Sequence, residues 1–579
     1  MCRNPTSTSW HFPRRRFCAV YPGVIALPPI LWGVCMLAGL LAAAGDVQAA
    51  VRLPHIFGNG MVLQRDKPAN IWGWADAGTR VTVQFAEQRQ TAVADADGHW
   101  SVALQALPAS FTGRTLTVSA AKQDTTITDV LVGDVWICGG QSNMEWTLRS
   151  TRDADLEILS AAFPGIRFIR LPKIARMEVQ NDFPVEGPDR PEGNWRQCTT
   201  AQIDNCTAVG YYFAKRLRRR LNVPIGLIDV SWGGTMAQHW VSPKTLAEFP
   251  EMAPYFQKFQ QDLQAWNDGG GEQGAERRFA AALKQWEQDT ASAKAKNEKA
   301  PRRPNRNAYR NPAHQRHPGG MFNGMIAPLA NCSLRGVLFY QGENNSFTES
   351  WKPFPRTFPS VIKDWRKLFG REDLPVGIIQ IAGWSNRRSM TYDMNHHTNI
   401  VREIQFNTWR NTDHTGLIVT YDTNSNGSIH PARKLPVGER AARWALAEVY
   451  RTKAWKSDRP IEWRGPVYTG IQVEGPKIVV SFERDTRRGL RLDQDVETGF
   501  YIAGADRVFH HAHARVVKDE RLQVWSEQVP KPVAVRYAWS NLPSGGLMNF
   551  RELPAYPFRS DTWPLVPHQS TGAYHVTSP

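Results

Sequence analysis

Hydrophobic and polar positions alternate along Val81-Thr82-Val83-Gln84-Phe85 and along Leu116-Thr117-Val118-Ser119. Asp97-Gly98 is a turn signal ahead of Trp100-Ser101-Val102-Ala103-Leu104. Short strands at this spacing predict a small β-sandwich-like region over residues 50–127. After Asp129 the pattern changes. Apolar strands at Val135–Cys138, Ile225–Val230, Gly336–Tyr340, Val376–Ile381 and Gly416–Tyr421 alternate with helical segments at Ala208–Leu221, Pro359–Leu368, Asn399–Trp409 and Val437–Tyr450. Strands that are apolar throughout are buried on both faces, so the pattern predicts an α/β domain over 128–455 with helices on both sides of a parallel sheet. Residues 244–320 interrupt this rhythm. Phe279, Leu283 and Trp286 share one helical face, and a polar, basic, proline-rich run follows from Pro301 to Gly320. An insertion of this length reads either as a lid or substrate wall or as a surface excursion. From about residue 456 period-two patterning returns, as in Lys477-Ile478-Val479-Val480-Ser481-Phe482 and Val533–Trp539, which predicts a C-terminal β region over 456–579.

In an open parallel sheet, ligands bind beyond the carboxyl ends of the strands. Four predicted strands end in polar, glycine-rich tips. The first runs into Gly139-Gly140-Gln141-Ser142-Asn143-Met144, and the second into Ser231-Trp232-Gly233-Gly234-Thr235. The third runs into Gln341-Gly342-Glu343-Asn344-Asn345, and the last into Asp422 and, further on, Ser428-Ile429-His430-Pro431. Glycines ahead of a serine lift its hydroxyl clear of the sheet edge and leave N–H groups free around it. Met144 stands where the nucleophile elbow Gly-x-Ser-x-Gly has its second glycine, which weakens an ordinary α/β-hydrolase reading. Acyl transfer needs a nucleophile, a base and donors for the oxyanion. Ser142 supplies the hydroxyl, and His430 is placed to take its proton. The oxyanion donors are expected from the N–H of Ser142, an N–H at Gly233 or Gly234, and the amide of Gln341, each worth about 3 kcal/mol in the transition state. Glu343 and Asn344, on the same rim, are expected among the oxyanion- or substrate-binding residues. Taken singly, each of these is a turn, a helix cap or a structural histidine; Glu343 and Asn344, for example, would serve as helix-capping residues.

Composition narrows the class. The chain is 579 residues long, 42% hydrophobic and 21% charged, with 22 tryptophans and a net charge of +16. That charge favours anionic surroundings, but no basic-aromatic motif accompanies it, so nucleic acid is not an expected partner. Arg14-Arg15-Arg16, an apolar stretch to about Ala44 and Val47-Gln48-Ala49 together read as a signal peptide over 1–49. An uncleaved anchor is the rival reading. No later segment is apolar enough to span a membrane, and an exported, periplasmic or secreted location is expected. Beyond this segment Cys138, Cys198, Cys206 and Cys332 remain. Cys198 and Cys206 are the nearest pair for a disulfide, with buried thiols the alternative. His510, His511 and His513 would be a metal site only with a further ligand at suitable spacing, and none is evident. A non-catalytic carbohydrate-binding protein would suit the two β regions, but it has no need of both Ser142 and His430.

Gly133-Asp134-Val135-Trp136 with Gly140–Met144, Trp232-Gly233-Gly234-Thr235, Tyr340-Gln341-Gly342-Glu343-Asn344 and Ile429-His430-Pro431 resemble the blocks of the sialate O-acetylesterase family, within the SGNH-hydrolase superfamily. Phe57–Arg65, Val535–Trp539 and Gly546–Phe550 resemble its opening and closing segments. The resemblance implies an SGNH-type three-layer α/β/α domain flanked by N- and C-terminal β regions. It also implies removal of O-acetyl groups from sugars without a cofactor or metal. It makes Ser142 the nucleophile and His430 the base, with Gly234 and Gln341 at the oxyanion. The acetylated substrate is a sialic acid or a plant polysaccharide such as xylan or xyloglucan; the oligomeric state stays open. Many superfamily members carry an aspartate two or three residues before the histidine, where this chain has Ser428 and Gly427. Asp422 is the nearest acid to complete a triad, and a Ser–His dyad is the alternative.

Overall fold

Along the chain come β1 (Val62–Gln64), β2 (Ala69–Trp74), β3 (Arg80–Phe85), β4 (Gln88–Val93), β5 (His99–Leu104), β6 (Ser110–Ala120) and β7 (Gln123–Gly140). They are followed by β8 (Ala162–Arg170), β9 (Trp195–Thr199), β10 (Ile225–Asp229), β11 (Gly336–Tyr340), β12 (Val376–Ile379) and β13 (Thr415–Ile418). The computed structural model describes residues 51–120, 123–185, 192–385, 396–425 and 427–564, and the expected leader lies outside them. The described residues group as one compact unit.

The central sheet has the order β13-β12-β11-β7-β10-β8-β9, parallel throughout except for β9, which runs antiparallel to β8. β10, β11 and β12 are buried along their whole length, as strands covered on both faces must be. Adjacent residues of β7 show where the covers lie, because successive side chains point to opposite faces. Cys138 abuts Gly210 of the helix Ala208–Leu221, whereas Gly139 abuts Trp365 of the helix Phe354–Leu368. The helix Leu435–Trp444 packs on the first of these and Thr398–Arg410 on the second, which completes three layers. Thr207 caps the helix Ala208–Leu221 by accepting from the N–H of Gly210, and Asn222 closes it in the left-handed region.

β8 and β9 were not legible in the pattern. Pro164 and Gly165 open β8, Arg167 and Arg170 interrupt its apolar run, and its pairing with β9 shifts register between Phe163 and Arg167. β7 is 18 residues long and serves two layers. Its first half pairs with β6 and β1, and its second half is the middle of the central sheet. The boundary expected at 127/128 therefore falls inside a strand. In the N-terminal region Ile71, Val83, Phe85, Trp100, Leu104 and Leu116 form a separate apolar core.

The C-terminal strands form two four-stranded antiparallel sheets and a two-stranded one, and they share the core of the α/β layers. Tyr556 donates to the carbonyl of Leu417 at 3.0 Å and stacks on Trp409, while the hydroxyls of Tyr421 and Tyr537 meet at 2.8 Å. These contacts brace the end of β13, from which the segment bearing His430 departs. Cys198 and Cys206 are free, buried thiols, the second of the two readings, and burial pushes the Cys198 thiol up to about 12. No helix among the described residues is long and apolar enough to cross a membrane.

Candidate active site

The tips after β7, β10, β11 and β13 meet at one rim, as the strand order requires. β7 ends at Gly140, with φ of 127°. A Cβ there would lie 2.1 Å from the carbonyl oxygen of Tyr340, so only glycine lets β7 close against β11 before the chain turns. Ser142 then opens a single helical turn, Ser142–Glu145. Its hydroxyl lies 2.7 Å from Nε2 of His430.

His430 is held by its surroundings on three sides. Trp146 stacks on the ring at 5.1 Å and 23°, Ser428 Oγ accepts from the backbone N–H of His430, and Asn143 donates to the carbonyl of Ile429. Burial, and then the neighbouring charge of Lys434, lower the imidazole pKa below 6.5; Glu145 opposes the shift. The ring is therefore kept neutral and able to accept a proton at pH 7.

Asp422 is not aimed at this histidine. Both of its carboxylate oxygens are taken by Arg440, at 2.7 and 2.5 Å, which corrects its assignment as triad acid. Among the described residues no carboxylate hydrogen bonds to Nδ1 of His430. The pair lies away from the imidazole and joins the end of the last strand to the helix Leu435–Trp444. Asp422→Asn is expected to keep kcat/KM for acetate release within about threefold of wild type, with an acid limb below pH 6.5 in both proteins. A hundredfold loss would restore Asp422 to the triad.

The expected oxyanion donors separate into two groups. Among the described residues nothing accepts from the N–H of Ser142 or of Gly234. Gly234 has φ of 72°, and a Cβ at Gly233 would lie 3.2 Å from Cβ of Ser142, so the glycine pair runs directly beside the nucleophile. The N–H of Gly233, however, donates to Glu145 at 2.6 Å, and the amide of Gln341 is wholly buried, donating to the carbonyl of Thr235 and to Gln141. Gln341 thus holds the tips together instead of facing the reaction. Glu145 is itself fixed by Arg170 and Lys173.

Glu343 also departs from the expectation that it contacts substrate. It is 3% exposed and accepts from the side-chain amides of Gln141 and Asn143. The carbonyl oxygen of Asn143 accepts from the ammonium of Lys434, which is 1% exposed. Burial raises the pKa of Glu343 and lowers that of Lys434 to about 7. Asn344 stays at the rim and donates to the carbonyl of Gly234 at 2.9 Å. Asn143, Glu145, Trp146 and Lys434 received no role from the sequence; the one signal was that Asn143 and Lys434 flank Ser142 and His430 closely in the chain.

The histidines at 510, 511 and 513 do not converge: His510 bonds to Gln528, and His513 lies against Glu527. Among the described residues, the cluster with ligand atoms close enough for a metal is the exposed Asp95-Asp97-His99 turn, remote from the rim in sequence and domain.

Comparison with known proteins finds carbohydrate esterases. Residues 314–444 match a family model described as a carbohydrate esterase, sialic acid-specific acetylesterase. Sialate O-acetylesterase from Mus musculus is 26% identical over 531 residues, covering 85% of this chain and 90% of its own length. The Homo sapiens enzyme of the same name is 27% identical over 474 residues, covering 76% and 78%. A crystal structure of a carbohydrate acetylesterase from Xanthomonas citri is 30% identical, has a TM-score of 0.70, and aligns over 89% of this chain and 100% of that one.

Proposed function

The chain belongs to the sialate O-acetylesterase family of carbohydrate esterases, and on that premise we propose that Ser142 and His430 are the catalytic dyad of an exported carbohydrate O-acetylesterase. The enzyme is a carboxylic ester hydrolase that removes O-acetyl groups from carbohydrate. The observation that carries the assignment of residues is the 2.7 Å contact between the serine hydroxyl and Nε2. As Ser142 Oγ attacks the acetyl carbonyl, its proton passes to His430. The negative charge that develops on the carbonyl oxygen is met by the N–H groups of Ser142 and Gly234. His430 then returns the proton to the departing sugar hydroxyl, leaving an acetyl ester on Ser142. A water, deprotonated by His430, attacks that ester; acetate leaves and the serine hydroxyl is restored. Among the described residues no acid meets Nδ1, and the ring is oriented by Trp146 and by the backbone contacts of residues 428–430. Export rests on the Arg14-Arg15-Arg16 and Val47-Gln48-Ala49 pattern.

O-acetylated sialic acid is the first substrate assigned, from the name borne by the mammalian relatives. Acetylated plant polysaccharide is the second, favoured by a wide cleft that opens beside Gly234. Acetate release should be measured from O-acetylated sialic acids, acetyl-xylan and acetyl-xyloglucan. Turnover of the sialic acids alone supports the first assignment, and turnover of the polysaccharides alone the second. No release from any of them rejects the proposal.

A further inference from the structure

The wide cleft is bounded on one side by the tips after β10 and β11, represented by Gly234, Met236 and Asn344. Its other side is the insertion, and its volume is about 960 Å³. That is near the upper end of ordinary ligand sites, which run to about 1,000 Å³, and more than one acetylated sugar requires. The cleft reaches Gly234, one residue along the chain from the backbone beside Ser142. Gly234 follows Gly233, whose backbone lies against Ser142, and Arg316 of the insertion reaches the carbonyl of Gly233 at 3.0 Å.

The insertion wall is built from the helices Ala253–Asp268 and Gly271–Ala295 and the return segment behind them. It is held in shape independently of any ligand. Trp286 donates to the carbonyl of Pro301, Arg278 to that of Gly269, and Phe259 stacks on the buried His317 at 4.4 Å. Four half-buried aromatics, Tyr255, Phe259, Trp266 and Tyr309, line the cleft from this wall. Phe259 and Tyr309 also pack within the insertion, on His317 and Phe279, and all four rings line the cleft that reaches Gly234. Flat apolar rings with polar edges beside them suit the C–H faces of pyranose rings, and the guanidinium groups of Arg310 and Arg316 suit their hydroxyl or carboxylate substituents.

We propose that this cleft is a subsite for the glycan chain flanking the acetylated residue, so that the enzyme acts on O-acetylated oligo- or polysaccharide in preference to a free monosaccharide. The inference rests on the esterase reading above. It names a shared chemistry, a run of glycosidically linked rings, which either a sialylated glycan or a plant polysaccharide would supply.

The test compares kcat/KM for acetate release from four substrates: an aryl acetate, an O-acetylated monosaccharide, an O-acetylated xylo-oligosaccharide and an O-acetylated sialyl-oligosaccharide. At least one oligosaccharide is expected to exceed the monosaccharide by about tenfold or more, and which one does so identifies the glycan. Trp266→Ala and Tyr309→Ala are expected to lower the oligosaccharide-to-aryl-acetate ratio by about tenfold, chiefly through KM. An oligosaccharide advantage that is absent, or a ratio untouched by both substitutions, overturns the subsite while leaving the esterase intact. Failure of the wild-type protein on the aryl acetate rejects the esterase reading and the subsite with it. Because each variant is scored as a ratio within one preparation, a partly misfolded sample lowers both rates together and does not imitate the effect.

Discussion

Replacing Ser142 by alanine is expected to lower kcat for acetate release by about 10⁴-fold or more. The substitution removes one oxygen from a residue that opens a helical turn, and alanine is at ease there. Its backbone N–H stays in place, so one oxyanion donor survives, and substrate binding through the cleft is untouched. What disappears is the atom that forms the acetyl ester and the 2.7 Å contact through which its proton leaves. Residual activity would come from water attacking within the remaining oxyanion site. The folded state should be unaffected within about 0.5 kcal/mol, because the hydroxyl's hydrogen-bond partner is the histidine at the rim and not a group in the core. The measurement is single-substrate kinetics on an aryl acetate, with unfolding followed in parallel. Retention of more than about one per cent of wild-type kcat by a correctly folded variant would remove Ser142 as nucleophile.

The parts of this site that could be read from sequence share a property: each is local. Gly139-Gly140 after an apolar run predicts a sharp turn whatever lies elsewhere, and the turn delivers Ser142 to the rim. The same holds for the glycines at 233 and 234 and for the helices and strands of the α/β layers, whose periods are set by immediate neighbours. Residues whose task is set by a distant partner were misread. Asp422 follows the last strand and is acidic, but the direction of its carboxylate is decided by Arg440, 18 residues on and one turn into a helix. Gln341 and Glu343 lie at a strand end with polar character, which suggests exposure. They are buried because Thr235, Gln141 and Asn143 hydrogen bond to them, and Lys434 sets a positive charge nearby, from positions up to about 200 residues away. The insertion shows the same division. Its helical face at Phe279, Leu283 and Trp286 was visible in the spacing, while the cleft it walls exists only once β10 and β11 bring Gly234 and Asn344 opposite it.

Glu343→Gln carries the second large effect, and on a different quantity. The two carboxylate oxygens accept from two buried amides, so a glutamine in the same place would turn its own NH₂ toward a donor and leave one of them unsatisfied. The substitution also leaves Lys434 without its anionic neighbour at a position 1% exposed. Removing one partner of a buried pair costs about 3–5 kcal/mol. The loss here should lie toward the lower end, because Lys434, lowered to about 7, sheds its proton readily. Stability is therefore expected to fall by about 3 kcal/mol in denaturant unfolding at pH 7. Activity should fall as well, because Asn143 is the link between this pair and the carbonyl of Ile429, the residue before His430. A histidine shifted by a fraction of an ångström affects proton transfer more than substrate capture, so kcat is expected to drop about tenfold or more with KM nearly unchanged. Adding Lys434→Met to the variant removes the stranded cation. The double variant should recover stability relative to the sum of the single losses, with a coupling of at least about 1 kcal/mol. Wild-type stability and kcat in Glu343→Gln, or strictly additive losses in the double variant, would mean that Glu343, Asn143 and Lys434 do not act as one clamp beneath the dyad.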